Sequence, residues 1–331
     1  MTALELAAAF VLIIGGAVAF TNAVEWLGHR LDLGQGAVGA LLAAVGTALP
    51  ESVIPIVALL SGGGAQAREV AIGAIVGAPF LLGTLAMLLV VGSARLFRGR
   101  REQGREVAIE ERATRRDLNW FLALMPIGIA LGIAGPPAAV RYAGAALVVA
   151  GYAAYAFRTA TRGGEADDAD QLKALYFDTS RSDPPNALQV GLQFVVSLAA
   201  IVGGAELFVR AIEDVAESAG ISALVLALVL APLATEMPEK ANSVLWVREG
   251  KDALALGNIT GAMAFQATIP VALGLVFTDW DLDARAVTAA CVGLAGGALA
   301  RWTLPRRRVG VVPVLVWGAM FAGFVVFAAL S

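Results

Sequence analysis

Gly46-Thr47-Ala48-Leu49-Pro50-Glu51 and Ala234-Thr235-Glu236-Met237-Pro238-Glu239 each place a glutamate directly after a proline, inside otherwise nearly apolar stretches. A charge near the middle of a bilayer costs roughly 2.5–3.5 kcal/mol on insertion scales. A proline inside a helix leaves a backbone carbonyl without its donor. Two such pairings of broken helix and carboxylate in one chain point to a cation-binding site.

The surrounding chain has the composition of a membrane protein. Of 331 residues, 58% are hydrophobic and 15% charged, and the mean hydropathy is +0.75. A soluble domain carries about 25% charge. The single cysteine, Cys291, excludes an internal disulfide and a cysteine-cluster metal site. The single histidine, His29, argues against histidine-rich zinc or haem ligation. The first apolar stretch has no basic segment before it and reads as a membrane helix rather than a cleaved leader.

Stretches of about 20 apolar residues, enough to cross a bilayer, fall at 3–22, 36–60, 69–93, 118–135 and 138–158. After a polar break, five more fall at 187–210, 221–247, 252–277, 285–303 and 309–330. The expectation is an all-α polytopic membrane protein with ten transmembrane helices. The third loop, from Arg95 to Arg116, holds eight arginines. Basic residues also fill the fifth loop (Arg158, Arg162, Lys173, Arg181), the seventh (Arg248, Lys251) and the ninth (Arg301, Arg306, Arg307, Arg308). The sixth and eighth loops carry Glu213, Asp214 and Glu217, and Asp279, Asp281 and Asp283. Basic loops stay cytoplasmic, so both termini are expected outside, in a plasma (inner) membrane. The arginines of the third loop alternate with Glu102, Glu106, Glu110 and Glu111, which favours a solvated helix over a nucleic-acid or lipid-headgroup patch. The acidic cluster Glu165, Asp167, Asp168 and Asp170 lacks the ligand spacing of an EF-hand and reads as linker.

The two halves repeat each other. Gly15, Gly16, Ala17, Phe20, Ala23 and Glu25 match Gly203, Gly204, Ala205, Phe208, Ala211 and Glu213. Thr47, Pro50 and Glu51 match Thr235, Pro238 and Glu239, all 188 positions on. Gly73, Gly77 and Ala78 then meet Gly257, Gly261 and Ala262 at an offset of 184. An odd number of spans per half makes the repeats inverted, the architecture in which secondary transporters hold substrate where the repeats meet. The expected units are a first five-helix repeat over 1–158 (motif region about 36–93), a cytoplasmic linker over 159–186, and a second repeat over 187–331 (motif region about 221–277).

Thr47 and Thr235 each lie four residues, one helical turn, before their glutamate. Carboxylate, hydroxyl and freed carbonyl oxygens are the ligand set of a hard cation such as calcium or sodium. Taken alone, each threonine would rather bond a carbonyl one turn back. Glu236 precedes Lys240 by four residues in the favourable order, which favours a salt bridge over a ligand role. Asn258, Thr260 and Gln266 add polar atoms to the eighth span, whereas Pro79, Phe80, Leu81 and Leu82 leave the third nearly apolar. The site is expected to be lopsided.

These residues resemble the cation/calcium antiporter superfamily, the sodium/calcium exchanger group in particular. Its two repeats carry a Gly-Thr-Ser-x-Pro-Glu core followed by Gly-Asn-x-x-Gly-Ser-Asn. Here the first copy reads Gly-Thr-Ala-Leu-Pro-Glu (46–51) and Gly-Ala-Ile-Val-Gly-Ala-Pro (73–79), and the second Ala-Thr-Glu-Met-Pro-Glu (234–239) and Gly-Asn-Ile-Thr-Gly-Ala-Met (257–263). The resemblance spans both halves. It implies Glu51 and Glu239 as central calcium carboxylates, with Thr47 and Thr235 flanking; beside them, the polar residues Glu236, Asn258 and Gln266 of the second copy are further metal-ligand candidates. Family serines are replaced by Ala48, Glu236, Ala78 and Ala262, and the polar side chains four residues after the last two by Leu82 and Gln266. Those groups help form sodium sites in the family, so sodium coupling does not follow, and protons are the alternative counter-ion.

The expected function is a secondary active cation antiporter, exchanging calcium against sodium or protons by alternating access. The alternative is a non-exchanging cation channel or a degenerate ion-binding scaffold. No serine–lysine or histidine-containing constellation lies in the apolar spans, so an enzyme is not expected. No cofactor, nucleic acid or obligate protein partner is expected; the partners are inorganic cations and the lipid bilayer.

Overall fold

The structure is a computed structural model that describes residues 2–30, 51–60, 64–161, 173–178, 185–306 and 309–330. Every regular element among them is helical: α1 Thr2–Arg30, α2 Glu51–Leu60, α3 Ala65–Leu96, α4 Glu111–Ala134, α5 Ala138–Thr161, α6 Ala187–Ala219, α7 Ala223–Arg248, α8 Asp252–Phe277, α9 Ala284–Thr303 and α10 Val311–Leu330. Eight are long and apolar enough to cross a membrane, and two shorter apolar stretches lie at Glu51–Leu60 and Ala223–Glu236.

Helix ends follow local chemistry. Gly135 and Gly220, at φ 54 and 66, close α4 and α6 in the left-handed conformation that a side chain would strain. Asn186 and Asp283 cap α6 and α9, accepting from Leu188 N at 3.0 Å and Ala286 N at 2.8 Å. Several helices outrun their apolar windows: α4 begins at Glu111 and α6 continues to Ala219. Hydropathy locates the buried stretch, but arginine- and glutamate-rich turns have good helix propensity and simply continue it.

Two apolar cores share α3 and α7. One joins α1, α2 and α6 through Ile13, Phe20, Ile54, Ile201 and Phe208. The other joins α4, α8, α9 and α10 through Phe80, Phe121, Met263 and Trp317. Close approach depends on glycine. A Cβ at Gly16 would stand 2.8 Å from Ile201 Cγ1, and one at Gly204 would stand 2.9 Å from Ile13 Cγ1. The repeat-matched glycines thus seat α1 and α6 against each other.

Among the described residues, breaks in the helices fall elsewhere than Pro238 suggests. Pro238 does not interrupt α7, whose helix is continuous from Ala223 to Arg248, and Pro50 lies outside the described residues. Among the described residues the interruptions are in α3 and α8. A π-helical turn at Leu82–Ala86 joins Ala65–Leu81, which contains Pro79, to Met87–Leu96. In α8, Asp252–Gln266 stops, Thr268 adopts φ −130 and ψ −78, and Pro270 enters the first turn of Ile269–Phe277. Pro270 has no N–H to give the Gln266 carbonyl four residues earlier.

Polar contacts pin the connections. Arg101 and Asp252, both fully buried, form an ion pair that ties the arginine-rich loop to the start of α8, where Asp252 also accepts from Ala108 N at 2.8 Å. The stretch 173–178, within the segment expected to be a linker, is docked: Lys173 O accepts from Asn22 Nδ2 (3.1 Å) and Trp26 Nε1 (2.9 Å), and Phe177 N donates to Gln193 Oε1 (2.9 Å). The acidic cluster at 165–170 lies outside the described residues.

Candidate cation site

Glu51 lies in α2 and is buried. Its Oε2 accepts a hydrogen bond from Gln266 Nε2, 215 positions away on the last turn before the break in α8. The break does two things here. It ends the helix where the Gln266 side chain meets the carboxylate, and it leaves the Gln266 carbonyl without a helical donor. Of the residues expected at the site, this is the pair that the structure joins across the halves of the chain.

The others fall as follows. Thr235 is buried in α7, and its Oγ1 donates to Ala231 O at 3.2 Å, the bond back along the helix that threonines favour when alone. Glu236 and Lys240 pair at 3.1 Å, with side chains 0% and 2% exposed. The ion pair expected from their four-residue spacing is therefore formed. Asn258 is half-buried, and its Oδ1 has no hydrogen-bond partner among the described residues. Eight residues separate it from Gln266, about 12 Å along the axis. Thr47 and the side chain of Glu239 lie outside the described residues. On α3, Ala78 and Leu82 are packed into the interior, Leu82 at 0% exposure within the apolar core. The lopsidedness expected from the sequence is present here: Gln266 reaches the carboxylate while its counterpart Leu82 faces hydrocarbon.

One polar centre went unforeseen. Asp117 in α4, 3% exposed, accepts from Thr260 Oγ1 of α8 at 2.9 Å and from Tyr155 OH of α5 at 3.1 Å. Arg116 adds a contact of 3.0 Å. The carboxylate fastens α4 and α5 to the helix that carries Gln266. The apolar window of the fourth span starts at residue 118, so hydropathy leaves Asp117 in the loop. Thr260, a polar residue in the glycine motif, was the available signal. Among the described residues, no three carboxylate, imidazole or thiol side chains converge on a metal-sized space.

A family model described as sodium/calcium exchanger protein matches residues 2–160 and 190–330. The chain belongs to the sodium/calcium exchanger family. The "Putative antiporter CaxA" of Alkalimonas amylolytica is 24% identical over 276 residues, 83% of this chain and 81% of that protein. Among solved structures, the H+/Ca2+ exchanger CAX superposes with a TM-score of 0.75 at 18% identity, covering 99% of this chain and 86% of that one. Native YfkE gives 0.74 at 14% identity, covering 100% and 93%. The sodium-calcium exchanger NCX_Mj gives 0.60 at 17% identity, covering 97% and 98%. At these identities the structural likeness establishes the fold. This exchanger is therefore an integral membrane protein with that family's helical fold.

Proposed function

We propose that this family member is a calcium/proton antiporter that works by alternating access. Its ten spans form two inverted five-helix repeats, and the arginine-rich loops face the cytoplasm with both termini outside. Glu51 and Glu239 bind the divalent ion near the midplane, with Thr47 and Thr235 supplying hydroxyl or carbonyl oxygen. Gln266 orients Glu51, Lys240 neutralises Glu236, and Asn258 lines the approach along α8. Calcium and the counter-ion compete for the same carboxylates, so each leaves when the other arrives, and exchange follows from the shared site. The α1–α6 pair slides over the boundary set by α3 and α7.

The contact between Glu51 and Gln266 carries this reading, because it brings a motif carboxylate of the first half against the second. Protons are preferred over sodium because Ala78 and Leu82 offer methyl groups in an apolar core where a sodium ion would want oxygen. Calcium takes 6–8 oxygens and sodium by analogy about as many, whereas a proton needs one carboxylate. The test is calcium uptake into proteoliposomes with sodium and proton gradients imposed separately. An outward proton gradient should drive uptake and a sodium gradient should do so weakly. Steep, saturable sodium dependence without a response to pH would overturn the coupling. Calcium flux indifferent to both gradients would mean a channel.

A further inference from the structure

The charged end of α4 carries a second feature unrelated to the Glu51 site. Arg112, Arg115, Arg116, Asn119, Trp120 and Ala123 follow one face of the helix at spacings of three and four. Together with Arg158, from the last turns of α5, they line an open groove of ≈ 610 Å³. Four guanidiniums therefore meet in one place. Glu111 offsets Arg115 at 2.8 Å and Asp117 offsets Arg116 at 3.0 Å. Arg112 and Arg158 have no carboxylate partner among the described residues, and Arg115 Nε is buried without an acceptor. A fifth guanidinium stands at the rim, where Arg301 Nε donates to Asn119 Oδ1 at 2.7 Å.

Two of the four lining arginines are thus paired and two are not, which leaves the groove with an excess of positive charge. Three of these arginines sit in the first two turns of α4, where the helix dipole already favours an anion and disfavours a cation. Arg158, itself exposed, stands over the indole of Trp120, 5.9 Å from the ring centre, which places its guanidinium beside the groove. Guanidiniums of this kind bind phosphate oxygens through two parallel N–H donors.

The position of the groove selects among phosphate ligands. It opens on two candidate spans, Glu111–Ala134 and Ala138–Thr159, at the point where they pass from charged to apolar residues. Trp120 and Ala123 make its deeper end apolar, and Phe157, beside Arg158, is 70% exposed. Tryptophan and arginine at that level mark the headgroup region of a bilayer, and basic pockets between transmembrane helices bind anionic headgroups. We propose that this groove holds the phosphate of an anionic phospholipid, with the guanidiniums on the phosphate oxygens and the acyl chains lying along Trp120 and Ala123.

Native mass spectrometry of the full-length protein, titrated with phosphatidylglycerol, phosphatidylcholine or inorganic phosphate, tests this. Phosphatidylglycerol should bind saturably and more tightly than the other two. The Arg112→Gln/Arg158→Gln double variant should bind it about 30-fold more weakly, from about fivefold for each arginine removed near an anionic surface. Arg105→Gln, an exposed arginine of the same loop outside the groove, should bind it like the wild type. If the double variant does not fold, Arg112→Gln alone carries the test at about fivefold. Equal binding of phosphatidylglycerol and phosphatidylcholine, or no loss in the variants, overturns the site. Inorganic phosphate binding as tightly as the lipid overturns the assignment to a lipid.

Discussion

Replacing Glu236 by alanine removes one half of an ion pair from which water is excluded. The Lys240 ammonium lies 3.1 Å from Glu236 Oε2, and the two side chains are 2% and 0% exposed. Solvent screening is therefore negligible, and the small values typical of surface pairs do not apply. Stranding a charge in such a place costs about 3–5 kcal/mol, most of it the penalty for the ion left behind rather than the worth of the pair. Replacing both members with apolar residues is often neutral for stability. Glu236→Ala should thus lower the melting temperature in detergent markedly, and Glu236→Ala/Lys240→Leu should restore most of it. Calcium binding to the double variant then separates the two roles of Glu236: unchanged affinity goes with a purely neutralising residue, and a loss of affinity with a ligand. A single variant as stable and as active as the wild type would refute the reasoning, since neither role would then exist.

Gln266→Leu should keep the fold but weaken calcium binding by roughly ten- to a hundredfold, because a bond to a charged group contributes about 1.5–3 kcal/mol; unchanged affinity in a binding titration would remove Gln266 from the site. Thr260→Val and Tyr155→Phe each delete one of the hydroxyls on buried Asp117, so each should cost about 1.5–3 kcal/mol in unfolding experiments; two neutral substitutions would mean that this carboxylate does not fasten the helices. Gly204→Val forces methyl groups against Ile13 and should cost about 1–3 kcal/mol and slow transport, whereas Gly203→Ala, with nothing within 4 Å, should be close to silent. Equal effects at 203 and 204, read by melting and by flux, would contradict the packing of α1 on α6.

Much of this molecule could be read from its sequence because a bilayer leaves few choices. Runs such as 309–330 have no alternative but a helix, and the four-residue step from Glu236 to Lys240 announces its own ion pair. Gln266 was visible as the polar counterpart of Leu82. Other features were hidden because their partners are distant. Lys173 to Asp178 shows no periodicity; its backbone is held by Asn22, Trp26 and Gln193. Asp117 sits one residue before the apolar window of its span, so a boundary drawn by hydropathy put a buried carboxylate in water. The motif prolines drew attention to Pro238, where α7 stays helical, and away from Pro270, where α8 stops and the Gln266 carbonyl loses the donor four residues on. Proline marks a lost hydrogen bond, but whether the helix breaks there depends on what packs around it.

The most direct test of the central claim is proton-driven calcium uptake by Glu51→Gln in proteoliposomes, beside the wild type at equal protein content. The glutamine keeps the size of the side chain and removes the charge, which relieves a membrane insertion cost, so the variant should fold and run as a single species on size exclusion. The account predicts that calcium uptake and the matching proton release fall together to background. A well-folded Glu51→Gln protein that still exchanges calcium for protons at near-normal rates would contradict it.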